Sequence, residues 1–116
     1  MYTKDIGIAI RNKDFENVLN VMQCLTAHAN FYTAKNDNEV IIIEFTWIKW
    51  DETLHPEISN LMEYLEEIDA VFIARGEDLN DNEELFFNDA EDLMEHLELI
   101  RTIKFEGNLI KRRGIN

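Results

Sequence analysis

Between residues 51 and 100 stand seventeen carboxylates, with Arg75 as the one basic residue among them. Glu63, Glu66 and Glu67 recur three or four residues apart. So do Asp89, Asp92 and Glu95, and again Glu91, Glu95 and Glu98, a spacing that sets neighbours on one face of a helix. At 1.5 Å rise per residue, charges in such a stripe lie about 4.5 to 6 Å apart along the axis, of the same order as the charge ladder of DNA. Like charges at these spacings cost a few tenths of a kcal/mol per pair, and no lysine or arginine stands at the complementary positions. The chemistry on offer is the pairing of carboxylates with lysine and arginine that would otherwise hold phosphates. Glu77, Asp78, Asp81 and Glu83 extend the acidic set through a polar loop. With Trp50 as an apolar anchor, these residues form the expected partner-binding surface. The plain alternative is a series of solvated outer faces.

Other chemistries leave weaker marks. Asp78, Asn80, Asn82 and Glu84 alternate as at the start of a calcium loop, and Asp89 stands twelfth. Glu83 occupies the sixth position, where such loops need glycine, and Asp89 replaces the bidentate glutamate, so an acidic turn is expected and no metal. Cys24, His28, His55 and His96 are scattered, with no pair at zinc-ligand spacing. The chain has four glycines and no phosphate loop, nucleophile elbow or H-E-x-x-H, so no catalytic residues, no cofactor and no enzyme are expected. His96 reads as a surface or boundary histidine, and Cys24, beside an apolar stripe, as a buried thiol. Trp47 and Trp50 lie on one aromatic strand. Burial of both is expected from the size of the side chain, whereas an exposed one beside the acidic segment would anchor a partner.

These residues need a scaffold, and its elements are legible. Ile6, Ile8 and Ile10 alternate with Gly7 and Ala9 in a strand from Asp5 to Arg11. From Asn12 the period changes: Phe15, Val18, Leu19, Met22, Leu25 and Ala29 form a helical stripe behind an Asn12 or Asp14 cap. Phe31 to Lys35 and Val40 to Trp50 flank the polar loop 36–39 as a hairpin. Pro56 and Glu57 open a second helix with Ile58, Leu61, Met62, Leu65 and Ile68 on its stripe, ending at Asp69. Ala70 to Ala74 is a strand. Leu85 to Phe87 follows the loop 76–82, and Asn88 opens a third helix with a capping-box Glu91. Leu99 to Phe105 reads as a last strand and Gly107-Asn108 as a turn. The fold expected is α+β: a ferredoxin-like split βαβ antiparallel sheet with two helices on one face and a C-terminal β-α-β extension. It fills a single domain, 1–116, with 108–116 a short basic tail.

The chain has 116 residues, a formal net charge of -13 and 46% apolar residues, which excludes a disordered acidic chain and leaves room for one core. A single cysteine, no signal-type leader and no apolar run long enough for a membrane span point to the cytoplasm. The net charge opposes direct binding of nucleic acid or anionic membranes and favours basic proteins. The run Asp89-Ala90-Glu91-Asp92-Leu93-Met94 resembles the acidic helix of phage DNA-mimic anti-restriction proteins. The likeness covers those six residues, and the β content departs from that family's helical fold, so it illustrates a class rather than a membership. The function expected is that of a small non-enzymatic interaction protein blocking the basic surface of a nucleic-acid-handling protein, of anti-restriction or anti-CRISPR type. An immunity or antitoxin protein neutralising a basic toxin is the second expectation, and a small enzyme or calcium-binding regulator the third. A homodimer hiding the tryptophans is compatible with each.

Overall fold

The alternation of Ile6, Ile8 and Ile10 with Gly7 and Ala9 builds the middle of a sheet. The structure is a computed structural model that describes residues 2–34, 37–78, 80–94 and 109–111. Its elements are β1 (Lys4–Arg11), α1 (Phe15–Met22), β2 (Asn30–Ala34), β3 (Asp37–Ile48), α2 (Glu57–Leu65), β4 (Ala70–Gly76), β5 (Asn82–Phe87), α3 (Glu91–Met94) and β6 (Leu109–Lys111). The strands form one antiparallel sheet in the order β5-β4-β1-β3-β2-β6, with β6 a three-residue edge on β2. The fold is α+β, and no helix among the described residues is long and apolar enough to cross a membrane.

Helices α1 and α2 lie together on one face of the sheet. Ile6, Ile8, Ile10, Ile41, Ile43, Phe45 and Phe72 point there and meet Phe15, Val18, Met22, Ile58, Leu61 and Leu65. Each of these side chains contributes roughly 1.5 to 3 kcal/mol by leaving water. On the other face Ala9, Val40, Ile42, Val71 and Ile73 pack with Ala90 and Leu93 at the start of α3. Coverage of both faces accounts for the unbroken run Val40-Ile41-Ile42-Ile43, because along that run neither side of β3 meets water. Glu44, 5% exposed, shares this second face and accepts hydrogen bonds from the Asn30 side-chain amide (3.1 Å) and the Tyr32 hydroxyl (3.2 Å).

Several boundaries differ from expectation. Strand β3 begins at Asp37, so Asp37, Asn38 and Glu39 of the expected loop belong to the ladder, with Asp37 opposite Ala34. It ends at Ile48, before Lys49 and Trp50. Neither Asn12 nor Asp14 caps α1 through its side chain; Asn12–Asp14 form a 3₁₀ turn leading directly into the helix. The helix stops at Met22, Gln23 has φ of 47°, and a 3₁₀ turn over Gln23–His28 resets the phase. Leu25 consequently stays buried while Cys24 points to solvent, which overturns the expectation of a buried thiol. Leu109–Lys111 of the expected tail is strand β6. The expected strand from Leu99 to Phe105 and the turn at Gly107-Asn108 lie outside the described residues.

Candidate functional site

At the end of the sheet where β1 finishes and β4 begins, three chain segments meet. The pairing of Ala70 with Phe87 sets Asp69 beside Asn88. Asn88 has φ of 56°, a conformation asparagine tolerates better than most residues. Its side-chain amide donates to the carbonyls of Glu66 (2.9 Å) and Ile68 (2.6 Å), satisfying the end of α2. The expected role of Asn88 as helix opener gives way to this contact, since the amide is turned toward α2. Arg11 closes the arrangement. Its Nε donates to Asp69 at 2.8 Å, one terminal nitrogen donates to the Asp89 carbonyl at 3.0 Å, and the other reaches Asp92 at 3.4 Å. The Asp89 N–H donates to the second oxygen of Asp69 at 3.0 Å. Arg11 thereby holds the Asp69 carboxyl below its ordinary range, with the Asp89 N–H adding to the effect.

This lock fixes where six of the expected partner-binding carboxylates stand. Glu63 is exposed on α2, Glu66 and Glu67 are exposed in the turn that follows it, and Asp89, Glu91 and Asp92 are exposed just beyond β5. Asn88 and Arg11 hold the two groups to one corner. Glu63, Glu66 and Glu67 also border a cavity of about 450 Å³ shared with Val21, Asn60 and Tyr64. The corner is an acidic surface on a tied backbone. Glu95, Glu98 and His96 lie outside the described residues.

The remaining expected carboxylates stand at the opposite end, roughly 20 Å away along the seven residues of β4. There the turn between β4 and β5 draws them inward. Glu77 accepts the Thr3 N–H at 2.7 Å. Asp81 accepts the Tyr2 hydroxyl at 2.5 Å and lies 3.7 Å from the Lys4 ammonium. Asp78 accepts the Asn80 N–H at 3.1 Å, and its own N–H donates to the Tyr2 hydroxyl at 3.3 Å. Glu83 is exposed on β5. Gly76 permits this closure, because a Cβ there would strike the Asp81 carboxylate and the Tyr2 hydroxyl. Glu77, Asp78 and Asp81 thus fasten the N-terminal segment and the turn.

The calcium reading meets a geometric obstacle at the same place. Asn82 to Phe87 are extended and paired with β4, Glu84 opposite Ile73 and Asn82 opposite Arg75, so positions five to ten of the supposed loop cannot curl around an ion. Among the described residues no group of three or more His, Cys, Asp or Glu is arranged for a metal. His28 and His55, scattered in sequence, meet edge to face with ring centroids 5.3 Å apart.

The tryptophans separate. Trp50 is half-buried, packed against Phe45 and Phe72 with centroids 5.4 and 6.1 Å apart, so the expected anchor is largely a core contact. Trp47 is 78% exposed, against the expectation of burial. The cause is a bulge: Lys4 pairs with Ile48 and Ile6 with Phe45, leaving Thr46 and Trp47 together opposite Asp5. The extra residue shifts the alternation, so Phe45 and Ile48 both face the core and Trp47 turns outward. Sequence reasoning also missed Arg11 and Asn88. Arg11 ends a strand in the manner of any solvated base, and its partners are 58 to 81 residues away. Comparison with protein-family models, curated proteins and solved structures finds no match to this chain.

Proposed function

We propose that this chain is a small non-enzymatic interaction protein that docks its acidic corner on the basic surface of a nucleic-acid-handling protein and keeps nucleic acid away from it. A phage anti-restriction or anti-CRISPR inhibitor acting as a DNA mimic in the cytoplasm is the type. The observation that carries the reading is the corner itself. Exposed Glu63, Glu66 and Glu67 stand with Asp89, Glu91 and Asp92 on backbone tied by Arg11 and Asn88, so their charges are positioned before a partner arrives. The guanidinium at their centre is already engaged with Asp69 and the Asp89 carbonyl and reaches Asp92 at 3.4 Å. A net charge of -13 would steer a basic partner toward the molecule. The strand order β4-β1-β3-β2 with α1 and α2 on one face supports a ferredoxin-like fold as the scaffold.

The test is capture from a lysate of the source organism with the tagged chain. The expected result is retention of a nucleic-acid-binding protein at low salt, its release at high salt, and its displacement by excess duplex DNA. Retention that neither salt nor DNA disturbs would remove the proposal.

A further inference from the structure

Trp47 combines two costs. A large aromatic side chain stands in water, and its backbone has φ of 55°, a conformation that bulky residues rarely adopt. Strain of this sort persists where surrounding structure enforces it, and here the enforcing contact is the Asp5 carboxylate, which accepts the Trp47 N–H at 3.0 Å. That hydrogen bond has a second effect. Arg75 is directly opposite Asp5 in the ladder and is the natural ion-pair partner of its carboxylate. With Asp5 turned to the bulge, Arg75 is exposed and pairs with no described residue. Both residues line a cavity of about 300 Å³, together with Lys4, Trp47 and Glu77 among others. Its second carboxylate, Glu77, holds the Thr3 N–H. A planar apolar wall and an unengaged guanidinium therefore face one small space.

We propose that this cavity binds a small planar ring carrying one acidic group, with the ring against the Trp47 indole and the acid on the Arg75 guanidinium. The site is independent of the acidic corner and stands whether or not the corner binds a protein. The volume is at the small end of ligand cavities and suits one ring system with one acid. Arginine takes carboxylate or phosphate through paired donors, whereas the ammonium of Lys4, another lining residue, lies 3.7 Å from Asp81. The net charge of -13 disfavours a polyphosphate strand here, while a single acid needs only the Arg75 guanidinium.

The experiment follows the side-chain N–H signals of Trp47 and Arg75 by NMR in the ¹⁵N-labelled full chain. Trp47→Phe removes one of two indole signals and so assigns it. The probes are 4-hydroxybenzoate and AMP, with 4-hydroxybenzamide and adenosine as their uncharged counterparts. The expected result is a saturable shift of both signals with at least one acid, and affinity about tenfold or more weaker for its uncharged counterpart and for Arg75→Gln. Whichever acid binds tighter identifies carboxylate or phosphate as the natural group. Trp47→Gly is expected to abolish binding while raising the Tm by roughly 2 to 6 °C, because glycine relieves the strained φ. No saturable shift with either acid, equal affinity for acid and uncharged probe, or unchanged affinity in Arg75→Gln would overturn the proposal. So would a lower Tm for Trp47→Gly, since the indole would then be a structural contact.

Discussion

The two ends of the sheet contain carboxylates in similar number and use them in opposite ways. At the β4–β5 turn, Glu77, Asp78 and Asp81 accept backbone N–H and hydroxyl groups from the N-terminal segment and the turn itself. At the end of β1, Asp69 and, at a longer 3.4 Å, Asp92 pair with Arg11, while Glu63, Glu66, Glu67, Asp89 and Glu91 are exposed. Charge density alone therefore does not mark a binding surface. What separates the two is whether a nearby donor has already claimed the oxygen. The aromatic and basic side chains follow the same division: Trp47, Lys4, Lys49 and Arg75 border the cavities at the turn end, and Arg11 sits inside the acidic corner.

The comparison breaks most readily at Arg11. Arg11→Ala is expected to cost about 2 to 3 kcal/mol in chemical denaturation, since it leaves Asp69 and the Asp89 carbonyl without their charged donor. Arg11→Lys should recover little, because one ammonium cannot reproduce a fork that spans three acceptors. The same pair sets a pH dependence. Asp69 is held below its unfolded value, so its contribution is complete above roughly pH 5, declines as pH falls through the ordinary aspartate range, and is gone below the folded value. In Arg11→Ala that acid-sensitive component should largely vanish; an unchanged profile would locate it elsewhere.

Asn88→Ala comes next, at about 1 to 2 kcal/mol, from two lost hydrogen bonds to α2 and alanine at a positive φ. Asn88→Gly keeps the backbone conformation and should cost less, which separates the two causes. Gly76→Ala probes the other end: its Cβ displaces the flexible tips of Asp81 and Tyr2. Stability should fall less than at Asn88, and hydrogen exchange should quicken at the Thr3 N–H while the Asp89 N–H keeps its protection. Smallest of all, replacing Glu63, Glu66 and Glu67 together by glutamine should leave stability unchanged or raise it by a few tenths of a kcal/mol, since the stripe repels itself. A loss above 1 kcal/mol would show that these side chains have a structural partner.

The scaffold was largely legible because periodicity reports burial. The isoleucines of β1 and the stripes of α1 and α2 face the core as their spacing requires. Boundaries failed where backbone conformation changed phase. Gln23 at positive φ turned Cys24 outward, and the bulge at Thr46-Trp47 exposed the tryptophan that simple alternation places beside Phe45. The acidic set looks like one surface in the sequence because the sequence shows the carboxylates without their donors. Tyr2 and Thr3 lie more than 70 residues from the groups they bind, and only the register of β1 against β4 brings them together.

The central claim is that the corner at Arg11, rather than acidity in general, is the docking surface. The most direct test is parallel capture from one lysate with three tagged chains: the parent, Glu63→Gln/Glu66→Gln/Glu67→Gln, and Glu83→Gln/Trp47→Gly at the opposite end. The account predicts that the parent and the opposite-end variant retain the same salt-releasable nucleic-acid-binding protein and that the α2 variant loses it. Equal retention by all three, or loss confined to the opposite-end variant, would contradict it.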